Sequence, residues 1–92
     1  MILVDRPLWP AHGHRFAHLV SDESLDELHR FAASIGLPRR AFHGDHYDQP
    51  DLRWAAAVAA GAQEVDPREL VRRLRAAGLR RARPRDARPT GA

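Results

Sequence analysis

Three glycines, Gly36, Gly61 and Gly78, each follow a run of helix-forming residues and divide the chain into short alternating segments. Glycine adopts the left-handed backbone that closes a helix, so each one reads as a stop. Ahead of Gly36, Leu25, Leu28, Ala32 and Ile35 recur at helical spacing. Ser21 or Asp22 is a candidate cap for this helix, Ser24-Leu25-Asp26-Glu27 is a second capping box, and Pro38 prevents continuation. Ahead of Gly61, an Ala-rich helix is expected over 51–60, with Leu52, Ala55, Ala56 and Ala59 facing inward. Ahead of Gly78 the start signal is complete: Asp66 as cap, Pro67 at the first helical position and Glu69 closing the box. Leu70, Val71, Leu74 and Ala77 supply its buried face.

Strand-like segments separate these helices. Ile2-Leu3-Val4 ends at Asp5, and Pro7, Pro10 and Gly13 keep the following stretch irregular. Phe16 to Val20 alternates, which puts His14, Phe16, His18 and Val20 on one face. Arg40 to His43 is expected as a third strand, followed by a loop over 44–50, and Gln63 to Val65 as a fourth. The order β-β-α-β-α-β-α predicts a small α/β sandwich on a largely parallel four-stranded sheet, because parallel strands need helical crossovers. The direction of the first strand stays open, since the link of about nine residues after it also suits a hairpin.

Residues 1–78 are read as one α/β domain and residues 79–92 as a flexible Arg/Pro-rich tail. A chain of 92 residues buries only about 60–65% of its unfolded surface, so its core is thin and a homodimer would suit it. The absence of cysteine excludes disulfides, thiolate metal sites and a cysteine nucleophile. No apolar run approaches the roughly 18 residues of a membrane span, and no signal-like segment precedes the first strand, which points to a cytoplasmic protein.

Charge is distributed unevenly. Residues 1–66 carry six Arg against ten Asp and Glu, whereas residues 67–92 carry nine Arg against two acids. A basic end of this kind attracts nucleic acid through counterion release, although the tail has no interleaved aromatics to stack on bases. Trp9 and Trp54 read as core or lid aromatics.

The chemistry-bearing residues concentrate in one region. His43, Asp45, His46 and Asp48 lie within six residues, and the expected topology brings His18 and Asp22 to the same end of the sheet. His18, Asp22, His46 and Asp48 form a candidate ligand set for a divalent ion such as Zn, Mn or Mg. Asp5 joins them if the first strand runs parallel, and Arg53 is placed as an anion clamp. Asp22 and Asp66 also suit plain helix capping, and His29 suits a boundary position in its helix. His12, His14 and His18 make a further histidine strip.

Val4-Asp5 at a strand end, His18 followed by Asp22, Glu27-Leu28-His29, Phe42, His46-Tyr47-Asp48, Arg53 and Gly61-Ala62 together resemble a family of short, uncharacterised bacterial and phage proteins classed as a domain of unknown function. The resemblance covers about residues 2–75. It singles out Asp5, His18, Asp22, His46, Tyr47, Asp48 and Arg53 as ligand-binding positions without assigning them roles. The expectation is a His/Asp site for a metal or a phosphate-bearing ligand, with metal-dependent phosphoester hydrolysis as its most natural chemistry. The alternative is a non-catalytic module that binds a nucleotide, a nucleic acid or a protein.

Overall fold

The computed structural model describes residues 1–11 and 13–81. Five strands, β1 (Ile2–Val4), β2 (Trp9–Ala11), β3 (His14–Ser21), β4 (Tyr47–Pro50) and β5 (Gln63–Glu64), form a single mixed sheet. Three helices, α1 (Leu25–Ser34), α2 (Trp54–Ala59) and α3 (Pro67–Ala76), cover it. The α/β class agrees with the sequence, but the expected largely parallel sheet does not. Among the described residues only the β1–β5 pairing is parallel, whereas β1, β2 and β4 all run antiparallel to β3.

β3 organises the sheet. β4 occupies one edge opposite residues 16–19, so β1 and β2 must share the other edge, opposite residues 19–21 and 14–16. They form one interrupted strand. Between them, residues 5–8 lie opposite only residues 17 and 18, so the edge bulges outward by two extra residues.

Alternation along the strands divides the core between two faces. Ile2, Val4, Ala17, Leu19 and Tyr47 pack on one face against Leu28 and Ala32 of α1 and Ala57 of α2. Leu3 and Val20 pack on the other against Leu70 and Leu74 of α3. The chain remains packed past Gly78: Leu79 joins this second cluster, and its N–H donates to the Leu74 carbonyl. Of the expected tail, residues 82–92 lie outside the described residues, as does His12.

The capping signals translate directly into structure. Asp66 accepts from the Glu69 N–H at 2.9 Å, with Pro67 at the helix start. Ser24, rather than Ser21 or Asp22, caps α1 by accepting from the Glu27 N–H at 3.1 Å. Three expectations need correction, two of them in the middle of the chain. Residues 39–41 form a 3₁₀ turn instead of a strand, and the strand lies in the expected loop, at Tyr47–Pro50. The expected helix over 51–60 opens with a 3₁₀ turn at Asp51–Arg53, so its buried face is shifted. Leu52 is 79% exposed, while Ala57 is buried. Finally, the irregular stretch around Pro10 contains β2, an edge strand where proline removes no needed ladder bond. Among the described residues, no helix is long and apolar enough to cross a membrane.

Candidate functional site

Asp5 keeps half of the ladder rung opposite His18, its N–H donating to the His18 carbonyl at 3.2 Å; the bulge takes away the return acceptor for the His18 N–H, and the Asp5 carboxylate takes its place. Asp5 Oδ1 accepts from the His18 backbone N–H at 2.6 Å, and Asp5 Oδ2 meets His18 Nδ1 at 2.9 Å. Asp5 is fully buried, and its carbonyl accepts from Trp54 Nε1 at 2.8 Å. The imidazole is thereby fixed by its Nδ1, and among the described residues Nε2 has no hydrogen-bond partner.

β4 supplies the second half of the site. Asp48 lies opposite His18 in the β3–β4 register. The two-residue period puts His46 and Asp48 on the α3 face and sends Tyr47 and Gln49 to the α1 face. A tight turn precedes β4: the His43 N–H donates to the His46 carbonyl at 2.7 Å, and Gly44 adopts φ +76°. That turn buries Asp45 beneath His46, with Asp45 Oδ1 2.7 Å from His46 Nδ1. On the far side of the ring, His46 Nε2 lies 3.3 Å from Asp48 Oδ1, and His43 Nε2 lies 3.1 Å from Asp48 Oδ2.

The His18 and His46 rings meet edge to face with centroids 5.1 Å apart, and Trp9 stands against His18 at 5.4 Å. Burial, the largest single influence on His46, disfavours its cation. The hydrogen bonds and charges of Asp48 and Asp45 outweigh it and hold the imidazole above its ordinary range. Asp48 is held below the usual carboxylate range, first by its bond to His46 and then, against burial, by the charges of His46, His43 and His18.

Asp5, Trp9, His18, Asp45 and His46 line one side of a cavity of about 720 Å³ between the sheet and α3. Its opposite wall carries Arg68, Arg72 and Arg75. The chain beyond α3 completes the rim, where Arg80 lies 3.7 Å from Asp45 Oδ2 and the Arg81 N–H donates to the same oxygen at 2.8 Å.

The structure therefore gathers Asp5, His18, His46 and Asp48 from the expected set and separates the other three. Tyr47 is buried on the opposite face, with its hydroxyl 2.8 Å from His29 Nδ1. Arg53 donates to the Ile35 carbonyl at 2.6 Å, which makes it a cap for the C-terminal end of α1 and not an anion clamp in the cavity. Asp22 pairs with Arg73 of α3 at 2.5 Å and with the Met1 ammonium at 2.9 Å, so it does not join His18 in a ligand set. Asp22, Glu23 and Glu27 are, among the described residues, the group whose oxygens approach within 4.8 Å of one another, and the Met1 ammonium bonds to all three. The role of Asp45 as the anchor of His46 and the arginines of α3 were not singled out in the sequence, whereas Trp9, expected as a core or lid aromatic, lines the cavity. The 68-72-75 spacing on one helical face was the available signal for those arginines.

A family model described as protein of unknown function (DUF4031) matches residues 2–77. No curated protein and no solved structure matches the chain.

Proposed function

The chain belongs to this family, DUF4031, and we propose from its site that the protein binds a phosphate-bearing ligand over the His18–His46 pair and cleaves a phosphoester bond in it. The observation that carries this reading is a pair of facing imidazoles, each tied through Nδ1 to a buried carboxylate, in a cavity whose other wall is lined with arginine.

The two histidines suit opposite roles. Asp5 holds His18 with its Nε2 lone pair toward the cavity, where it accepts the proton of an attacking water or hydroxyl as the new O–P bond forms. His46, favoured as the imidazolium, gives its Nε2 proton to the departing oxygen as the old P–O bond breaks, once the ligand takes the place of Asp48 Oδ1, which lies 3.3 Å from that nitrogen. The net change is one phosphoester bond cleaved by the attacking O–H, and the two histidines are restored by proton exchange with solvent. The arginines stabilise charge on the phosphoryl oxygens. Proton transfer of this kind is worth about 10²–10⁴-fold per positioned group.

A second reading has one specific observation in its favour. The two Asp48 oxygens face His43 Nε2 and His46 Nε2, a donor set whose chemistry suits a divalent cation such as Zn, Mn or Mg. With His18 these side chains would need to draw closer, because they do not meet the mutual spacing that Asp22, Glu23 and Glu27 meet.

The deciding experiment is turnover of bis(p-nitrophenyl) phosphate by chelator-treated protein, with and without added Zn²⁺, Mn²⁺ or Mg²⁺. Turnover in chelator, lost at least 100-fold in His18→Ala and in His46→Ala, supports the acid–base reading. Turnover only with added metal supports the second. Binding of phosphate or nucleotide without turnover under any condition makes the groove a binding module and overturns catalysis.

A further inference from the structure

α3 is an arginine-bearing wall. Its residues 67–76 include Arg68, Arg72, Arg73 and Arg75, with Glu69 as the only acid. Arg73 is turned to Asp22, whereas Arg68, Arg72 and Arg75 line the cavity. Glu69 holds Arg72 through a double hydrogen bond at 2.6 and 2.8 Å, an exposed pair that costs little to open. From Arg68 to Arg75 the helix rises about 10 Å at 1.5 Å per residue. At about 3.4 Å per nucleotide, the rise of one strand in a stacked B-form helix, that length spans about three phosphates, and an unstacked strand spans it with fewer.

Between the arginine wall and the histidine pair, the groove is apolar. Val20, Leu70, Val71 and Leu74 line it, and Trp9, 47% exposed, stands at its mouth against His18. A cationic rail, an apolar floor and an exposed indole suit a chain of phosphates carrying flat bases: arginine takes the backbone, and the indole takes a base face. The cavity of about 720 Å³ lies between the sheet and one helix, where the bases of an unpaired strand can splay out and stack.

We infer that the groove between β3 and α3 holds a single-stranded polynucleotide, with its backbone along Arg68, Arg72 and Arg75 and a base stacked on Trp9. The placement of one of its phosphates over His18 and His46 rests on the function proposed above; strand binding along α3 does not.

The test is fluorescence anisotropy with fluorescein-labelled dT12 and U12 on the full chain, over a range of salt. It is repeated on the Arg72→Ala/Arg75→Ala double variant and on Trp9→Ala. All three positions are exposed, and a thermal melt checks that each variant remains folded. The expected result is saturable binding that weakens at least tenfold in the double variant, with the log–log salt slope falling by about 1.4, or about 0.7 per lost phosphate contact. Trp9→Ala should weaken binding at least threefold with an unchanged slope. No binding, equal affinity for a 12-base-pair duplex, or equal affinity in the arginine variant overturns the inference; the last result would assign the binding to the basic residues beyond α3. Turnover of the small phosphodiester without strand binding leaves the proposed function standing and removes this one. Strand binding with no phosphoester turnover does the reverse.

Discussion

One carboxylate, that of Asp5, takes both the backbone N–H and the ring Nδ1 of His18, at 2.6 and 2.9 Å. This fork joins fold and chemistry, and two substitutions separate them. Asp5→Asn keeps an acceptor for the backbone but turns an NH₂ toward Nδ1, which moves the histidine proton to Nε2 and removes the free lone pair. Stability should fall by no more than about 1 kcal/mol, while phosphoester turnover falls about 10²–10⁴-fold. Asp5→Ala leaves a buried N–H unpaired and should cost about 1–3 kcal/mol. Urea midpoints set beside turnover rates separate the two effects.

Stability should depend on pH through His46 and Asp48. His46 is raised above its ordinary value of about 6.5, so its contribution is present below that pH and is lost as pH rises through the raised value. Asp48 is lowered below about 3.9, so its contribution is present above that pH and is lost as pH falls through the lowered value. The pair therefore stabilises the fold most between these limits. The difference in urea midpoint between wild type and His46→Gln should be largest near pH 5–6 and shrink toward pH 9. A flat difference across that range would show that His46 is not held as a cation.

Arg53 and Gly36 act together at the end of α1. Arg53→Ala removes the donor to the Ile35 carbonyl and should cost about 0.5–1.5 kcal/mol, with phosphate affinity unchanged, because the side chain lies outside the cavity. Gly36→Ala should cost about 1 kcal/mol or more. Its φ of +77° strains any side chain, and the added Cβ would meet Arg53 Nη2 at 3.0 Å. Thermal melts and phosphate titrations measure both.

Gln49 is fully buried, and among the described residues neither Nε2 nor Oε1 has a hydrogen-bond partner. Met fills a similar volume without polar groups to satisfy. Gln49→Met should therefore stabilise the protein by about 1–3 kcal/mol, read as a higher urea midpoint at unchanged slope.

The elements with local causes were legible in the sequence. Asp66, Pro67 and Glu69 announced α3, and Leu28 and Ala32 announced the buried stripe of α1. What stayed hidden depended on distant partners. Tyr47-Asp48-Gln49-Pro50 is polar and ends in proline, so it reads as a loop; it becomes a strand because β3 offers a free edge and buries Tyr47 and Gln49. The same pairing explains why His46-Tyr47-Asp48, contiguous in sequence, contributes only its outer two residues to the site. Arg53 resembled an anion clamp because it follows an acidic loop, but nothing local shows that the Ile35 carbonyl lies within its reach.

The four residues 5–8 pass opposite only two on β3. Deleting two of them would let β1 and β2 run as one uninterrupted strand, with every rung of the ladder filled by backbone. The shorter chain would be the better hairpin and would lose the Asp5 fork that holds His18. The two surplus residues are thus a measure of what the site costs the scaffold, and a shortened variant that melts higher and turns over nothing would read that cost directly.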